Sequence, residues 1–169
     1  MRGLTPALRA LALLALVMPL VGARCGGTAN TATVWIDPPI SSVPIGTIFT
    51  VDVVANVTKG SLQAFELGVT AEASTLAVFS VFPHGDFDDD GKLFLPVSID
   101  FGAGTANRIV DLRHGAPLPT GQARLATLQV IAHAAGSGSI EITTADLATE
   151  DGAPVSVSLL SASIDVTTP

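Results

Sequence analysis

The stretch GQARLATLQVIAHAAGSGSIEITTADLATEDGAPVSV, residues 121–157, decides the fold class of this 169-residue chain. Ala126, Leu128, Val130 and Ala132 are apolar at every second position, and Thr127, Gln129 and His133 fall in the opposite phase. Side chains of a strand point alternately to opposite faces, so this spacing predicts a strand with one buried face. Gly136-Ser137-Gly138 is expected to turn the chain. Ile140 and Ile142 then alternate with Glu141 and Thr143 in a second strand.

The same reading extends outward in both directions. Val34 and Ile36 open a strand that Pro38-Pro39 ends. Phe49, Val51, Val53, Ala55 and Val57 alternate with Thr50, Asp52, Val54 and Asn56. Phe65, Leu67 and Val69 predict inward positions on the next strand, and Leu76 to Phe82 is a shorter apolar run stopped by Pro83. Leu93, Leu95, Val97, Ile99 and Phe101 alternate again, and Arg108 to Leu112 adds another strand. A last strand, from about Ser156 to Val166, changes phase near Leu159-Leu160, which predicts a bulge or bend. About nine strands at turn-punctuated spacing, with no helical stretch after the leader, predict an all-β, antiparallel β-sandwich with jelly-roll character.

The first residues read as a processing signal. Arg2 and Arg9 flank its start, Ala10 to Leu20 is apolar apart from Pro19, and Val21 and Ala23 are small residues at the signal-peptidase spacing. The expected organisation is a signal peptide over residues 1–23, a small, polar and flexible lead-in over 24–32, and one domain over 33–169. The apolar run is shorter than the roughly 20 residues a spanning helix needs, so no membrane insertion is expected. Cys25 raises lipid anchoring, but Arg24 before it stands where a lipoprotein signal needs a small residue. The expected location is secreted, extracellular or at the cell surface. A lone cysteine makes no internal disulfide, so the fold must rely on its core.

With 8 basic and 15 acidic residues the chain carries −7, and losing Arg2 and Arg9 with the leader makes this −9. That balance argues against nucleic acid, whose phosphates are neutralised by Lys and Arg, and against anionic membrane surfaces.

Asp86-Phe87-Asp88-Asp89-Asp90-Gly91 is the one chemically pointed cluster. Asp86, Asp88 and Asp90 have the alternate spacing, followed by glycine, that opens a calcium loop. Val97 occupies the twelfth position, where a bidentate acid would stand. Two readings follow: a solvated acidic hairpin tip, or a weak extracellular calcium site with affinity on the order of 10⁻⁴ to 10⁻³ M. The three histidines, His84, His114 and His133, show no metal-ligand spacing. No nucleophile elbow or H-E-x-x-H motif is present, and Glu66 and Glu141 sit at outward positions as surface charges, so the chain reads as non-catalytic. Trp35 alternates against Val34 and Ile36 and is the candidate for an outward aromatic that contacts a glycan. A strip of such aromatics is absent.

The "LATLxV" strand, the "AxGSGxI" turn, the "xLxxEDGxPV" loop and the closing alternating strand resemble the C-terminal half of cohesin domains. Upstream, "VWIDPP", "VPIGTIFTVDVVANV" and "LQAFELGVT" follow in cohesin order, so the resemblance covers most of residues 34–166. Cohesins are β-sandwich modules that receive dockerins in cellulose-degrading assemblies, and they are related in fold to cellulose-binding modules. The resemblance implies a jelly-roll sandwich and a non-catalytic module that binds a dockerin-type protein partner in a polysaccharide-degrading or cell-surface assembly. The tyrosine-containing turn common after the third cohesin strand is replaced by Thr70-Ala71-Glu72-Ala73. Direct binding of extracellular polysaccharide by the same fold, and a purely structural envelope domain, therefore stay open beside it. The outward phases of residues 50–56, 66–68 and 127–133 are the candidate binding surfaces.

Overall fold

A computed structural model describes residues 30–37, 41–87, 97–113, 115–118 and 120–169. Eleven strands occur among them: β1 (Thr31–Asp37), β2 (Ser42–Pro44), β3 (Ile48–Lys59), β4 (Ala64–Ala71), β5 (Leu76–Pro83), β6 (Ser98–Asp100), β7 (Thr105–Leu112), β8 (Gly121–Ala132), β9 (Gly136–Ala148), β10 (Ser156–Leu160) and β11 (Ala162–Thr167). No helix occurs among the described residues. The strands form a five-stranded sheet in the order β10-β1-β3-β8-β5 and a six-stranded sheet in the order β2-β11-β9-β4-β7-β6.

The alternation that predicts a sandwich is what fills its core. Val51, Val53, Ala55 and Val57 of β3, Ala126, Leu128, Val130 and Ala132 of β8, and Phe65, Leu67 and Val69 of β4 are all buried. One sheet contributes the β3 and β8 residues and the other the β4 residues, and they join a single cluster with Ile140 and Ile164. Each fully buried Val, Leu or Phe side chain gains about 1.5–3 kcal/mol from leaving water.

Several details depart from the sequence reading. The turn between β8 and β9 falls at 133–135, and Gly136 to Gly138 already belong to β9. Gly138 is in a strand because a methyl group there would lie 2.7 Å from Leu76 Cδ1, so only glycine lets β9 pass the core at that point. The strands number eleven because β2, three residues long, is too short to show an alternation and the final expected strand is two; of the expected Leu93–Phe101 strand, Ser98–Asp100 form β6, and 93–96 lie outside the described residues. The sandwich also carries two parallel pairings, β1 with β10 and β2 with β11. The segment read as one final strand is two: β10 lies in the five-stranded sheet and β11 in the six-stranded one. The phase change at Leu159-Leu160 is the chain crossing between sheets.

Of the acidic segment after β5, Asp86 and Phe87 are among the described residues, and Phe87 does not lie in solvent. Phe87 is fully buried, with its ring 4.8 Å from that of Phe65 at 64°, an edge-to-face contact that closes one end of the core. Arg113 fixes the backbone of this loop. Its guanidinium donates to the carbonyls of Phe87 (2.6 Å), Asp86 (3.3 Å) and, from Nε, Ala116 (2.6 Å). The "EDG" motif forms the turn that carries β9 toward β10. Gly152 N–H donates to Thr149 O at 2.9 Å, and Gly152 adopts φ 74°, a conformation glycine reaches without steric cost.

Candidate functional site

The three segments expected to face outward do not share a surface. Thr50 to Asn56 and Thr127 to Gln129 lie on the five-stranded sheet, whereas Glu66 and Gly68 lie on the six-stranded sheet across the core. His133 is exposed just beyond β8. The two outer faces differ in how their polar groups are engaged.

On the five-stranded sheet three polar side chains, Asp52, Thr127 and Arg124, hold one another. Thr127 Oγ1 donates to Asp52 Oδ1 at 2.7 Å, and Arg124 Nε lies 3.5 Å from Asp52 Oδ2. Arg124 Nη1 lies 3.5 Å from His84 Nε2. Trp35 stands outward in register with Val54 on one side and Leu160 on the other. Val54 also points outward yet is completely inaccessible, so side chains flanking it fold over it. Trp35 is thus half-buried on the sheet surface, in the outward phase that its alternation predicts, and β10 rather than β1 forms the sheet edge.

The six-stranded sheet is different. In β4, Ala64, Glu66, Gly68 and Thr70 face outward between the inward Phe65, Leu67 and Val69. Both neighbours of β4 carry a bulge at the level of Gly68. On the β9 side Gly68 pairs with Thr144 and Val69 with Ile142, which leaves Thr143 as an extra residue. On the β7 side Leu67 pairs with Ile109 and Val69 with Ala106, so Asn107 and Arg108 together oppose Gly68. Each bulge sets two successive side chains on the outside, and Thr143, Thr144, Asn107 and Arg108 are all exposed. Arg108 has φ 58°, the only non-glycine residue with positive φ among the described residues. The left-handed region costs an L-residue about 1–2 kcal/mol, and such strain is concentrated at functional surfaces.

Gly68 is covered by the side chains of its neighbours. A methyl group added there would lie 2.7 Å from Thr144 Oγ1, 2.9 Å from Thr143 Oγ1 and 3.2 Å from Asn107 Oδ1. None of these three side chains makes a hydrogen bond among the described residues. One row away, Glu66 and Asp146 oppose each other directly, both exposed. Like charges at that spacing destabilise a sheet by roughly 0.2–1 kcal/mol. The strands of this sheet carry five exposed carboxylates, Glu66, Asp100, Glu141, Asp146 and Asp165, against the single guanidinium of Arg108. The face is polar and acidic.

No family model matches the sequence, and no curated protein matches it. Solved structures do. A cohesin module of a family 33 glycoside hydrolase from Clostridium perfringens superposes with a TM-score of 0.66 at 15% identity, covering 85% of this chain and 100% of that one. The chain has a cohesin-like fold. A type I cohesin–dockerin complex from Clostridium thermocellum matches with a TM-score of 0.67 at 12% identity, over 82% of this chain and 100% of that one. A non-cellulosomal cohesin from the hyperthermophilic archaeon Archaeoglobus fulgidus matches with 0.65 at 12% identity, over 82% and 92%.

Within this cohesin-like sandwich the remaining sequence candidates are placed as follows. Asp86 is exposed, and its carboxylate accepts the Arg124 backbone N–H at 3.2 Å and lies 3.9 Å from His84 Nδ1. Its two partners in the expected calcium trio, Asp88 and Asp90, lie outside the described residues. Among the described residues no three His, Cys, Asp or Glu side chains converge on a common point. Glu66 and Glu141 are exposed on the six-stranded sheet. Thr143, Thr144, Asn107 and Arg108 escape a reading based on alternation. Their signal is the spacing of three, where two is expected, from Ile142 to Ala145 and from Ala106 to Ile109.

Proposed function

We propose that this protein is a secreted, non-catalytic cohesin-like module that docks a dockerin-type protein partner on the outer face of its six-stranded sheet. One observation carries the choice of face. On the five-stranded sheet Asp52, Thr127 and Arg124 engage one another, whereas Thr143, Thr144 and Asn107 around Gly68 stand exposed with no side-chain hydrogen bond among the described residues. A surface that keeps unpaired polar groups, a strained Arg108 and an unfavourable acidic pair at its centre is built for a partner rather than for stability. The leader over residues 1–23 supports delivery outside the cell. The Clostridium thermocellum neighbour, held in complex with a dockerin, supports the partner class.

Polysaccharide binding has Trp35 in its favour, half-buried on the other sheet, in register with Leu160. A single aromatic there gives little stacking area, which places this reading second. Capture from a panel of dockerin modules, run beside a polysaccharide array, separates the two. Capture of a dockerin with no glycan signal supports the module, and glycan binding without dockerin capture refutes it.

A further inference from the structure

We infer that Arg108 determines the specificity of the docking face, and that its guanidinium takes backbone carbonyl oxygens of the partner. This rests on the six-stranded face being the docking face, and it adds the residue and the group it recognises. Among the described residues six glycines have positive φ, and Arg108, at φ 58°, is the one residue of another type. It stands in the β7 bulge, where it and Asn107 together oppose Gly68. Glycine holds such a backbone without steric cost, whereas any side chain there crowds the following carbonyl. The backbone gains nothing from arginine, and a bulge re-aims the side chain it carries.

The side chain is not used within the chain either. Three arginines lie among the described residues. Arg113 donates to the carbonyls of Phe87, Asp86 and Ala116, and Arg124 lies 3.5 Å from the Asp52 carboxylate. Arg108 is exposed and has neither a hydrogen bond nor an ion pair among the described residues. It lies on β7, beside β4 and inside the edges of the sheet, and arginine is enriched among the residues that dominate binding at interface centres. A guanidinium carries five N–H donors in a planar fork and no acceptor, so it takes oxygen. A partner carboxylate would meet the five exposed carboxylates of this sheet's strands, whereas a carbonyl brings no net charge. The three carbonyls held by Arg113 are the same chemistry within this molecule.

The test is capture from a panel of dockerin modules, that of the Clostridium thermocellum complex among them, by the parent protein and by Arg108→Gly, Arg108→Ala and Arg108→Lys. A module that the parent captures should bind Arg108→Gly and Arg108→Ala about thirtyfold more weakly, the size of an interface hot spot. Arg108→Lys keeps the charge but loses the planar fork, and it should lose nearly as much. Arg108→Gly should melt at or above the temperature of the parent while it loses capture, which separates a residue kept for binding from one kept for the fold. Capture by Arg108→Lys within threefold of the parent would mean that charge alone is read, as by a partner carboxylate, and would overturn the inference. A melting temperature of Arg108→Gly more than a few degrees below the parent would overturn it too, because the arginine would then serve the fold. Undiminished capture by Arg108→Gly would overturn this inference alone and leave the docking reading standing. Capture of no module by the parent would overturn the docking reading, and this inference with it.

Discussion

Replacing Phe87 by alanine tests how the acidic loop is held. The ring is fully buried and meets Phe65 edge-to-face at 4.8 Å. Truncating a buried phenylalanine costs about 3–5 kcal/mol, transfer and cavity terms together. The lost aromatic pair, about 0.5–1.5 kcal/mol beyond area burial, pushes the figure toward the upper end. The hydrogen bonds from Arg113 to the carbonyls of Phe87 and Asp86 use backbone acceptors, so they survive the substitution and hold the loop near its path. The void therefore stays open rather than collapsing. Against a whole-domain stability of about 5–15 kcal/mol, the variant should lose roughly a third or more. Urea unfolding followed by tryptophan fluorescence, with Trp35 as the single reporter, should show the midpoint fall with an unchanged slope. Phe87→Leu, which keeps most of the volume, should lose less than about 1.5 kcal/mol. A loss below about 1.5 kcal/mol for Phe87→Ala would refute the reasoning, because the ring would then be replaceable by solvent and the loop a true surface tip.

Gly68→Ala should change stability by less than about 1 kcal/mol, as thermal unfolding would show, because the gain from a stiffer unfolded chain offsets the displacement of the exposed Thr143, Thr144 and Asn107 side chains. Arg108→Gly relieves a backbone at φ 58° that costs about 1–2 kcal/mol, against about 0.5–1 kcal/mol for glycine in a strand, so thermal unfolding should show equal or slightly higher stability. Arg124→Ala removes a pair whose side chains are 50% and 25% exposed, and it should cost less than about 1 kcal/mol, an effect that shrinks as salt is added.

How much of this was legible in the sequence follows from what produces a period. Positions such as Val51, Val53, Leu128 and Val130 are buried by one rule, alternate exposure across a pleated sheet, and the rule is written in the residues themselves. That rule gives the sandwich and the core. It fails where register slips. Leu125 is an extra residue in β8 opposite Val53 and Val54, and it is as buried as Ala126 beside it. The doubled outward pairs around Gly68 arise in the same way, from bulges that a search for period two passes over. Phe87 was hidden for another reason: its neighbours are aspartates, and only the tertiary contact with Phe65 shows that the loop dips into the core. The sheet pairing that separates Thr50 from Glu66 depends on contacts distant in sequence, and no local pattern carries it.

The docking face is tested most directly by placing one bulky charge on each side of the sandwich. Thr144→Arg stands beside Gly68 on the six-stranded sheet, and Thr50→Arg stands on the five-stranded sheet; both positions are exposed. With a dockerin module that the unaltered protein captures, Thr144→Arg is predicted to weaken capture by at least a hundredfold and Thr50→Arg by less than threefold, with both variants melting within a few degrees of the parent. Capture lost in Thr50→Arg and retained in Thr144→Arg would contradict the account.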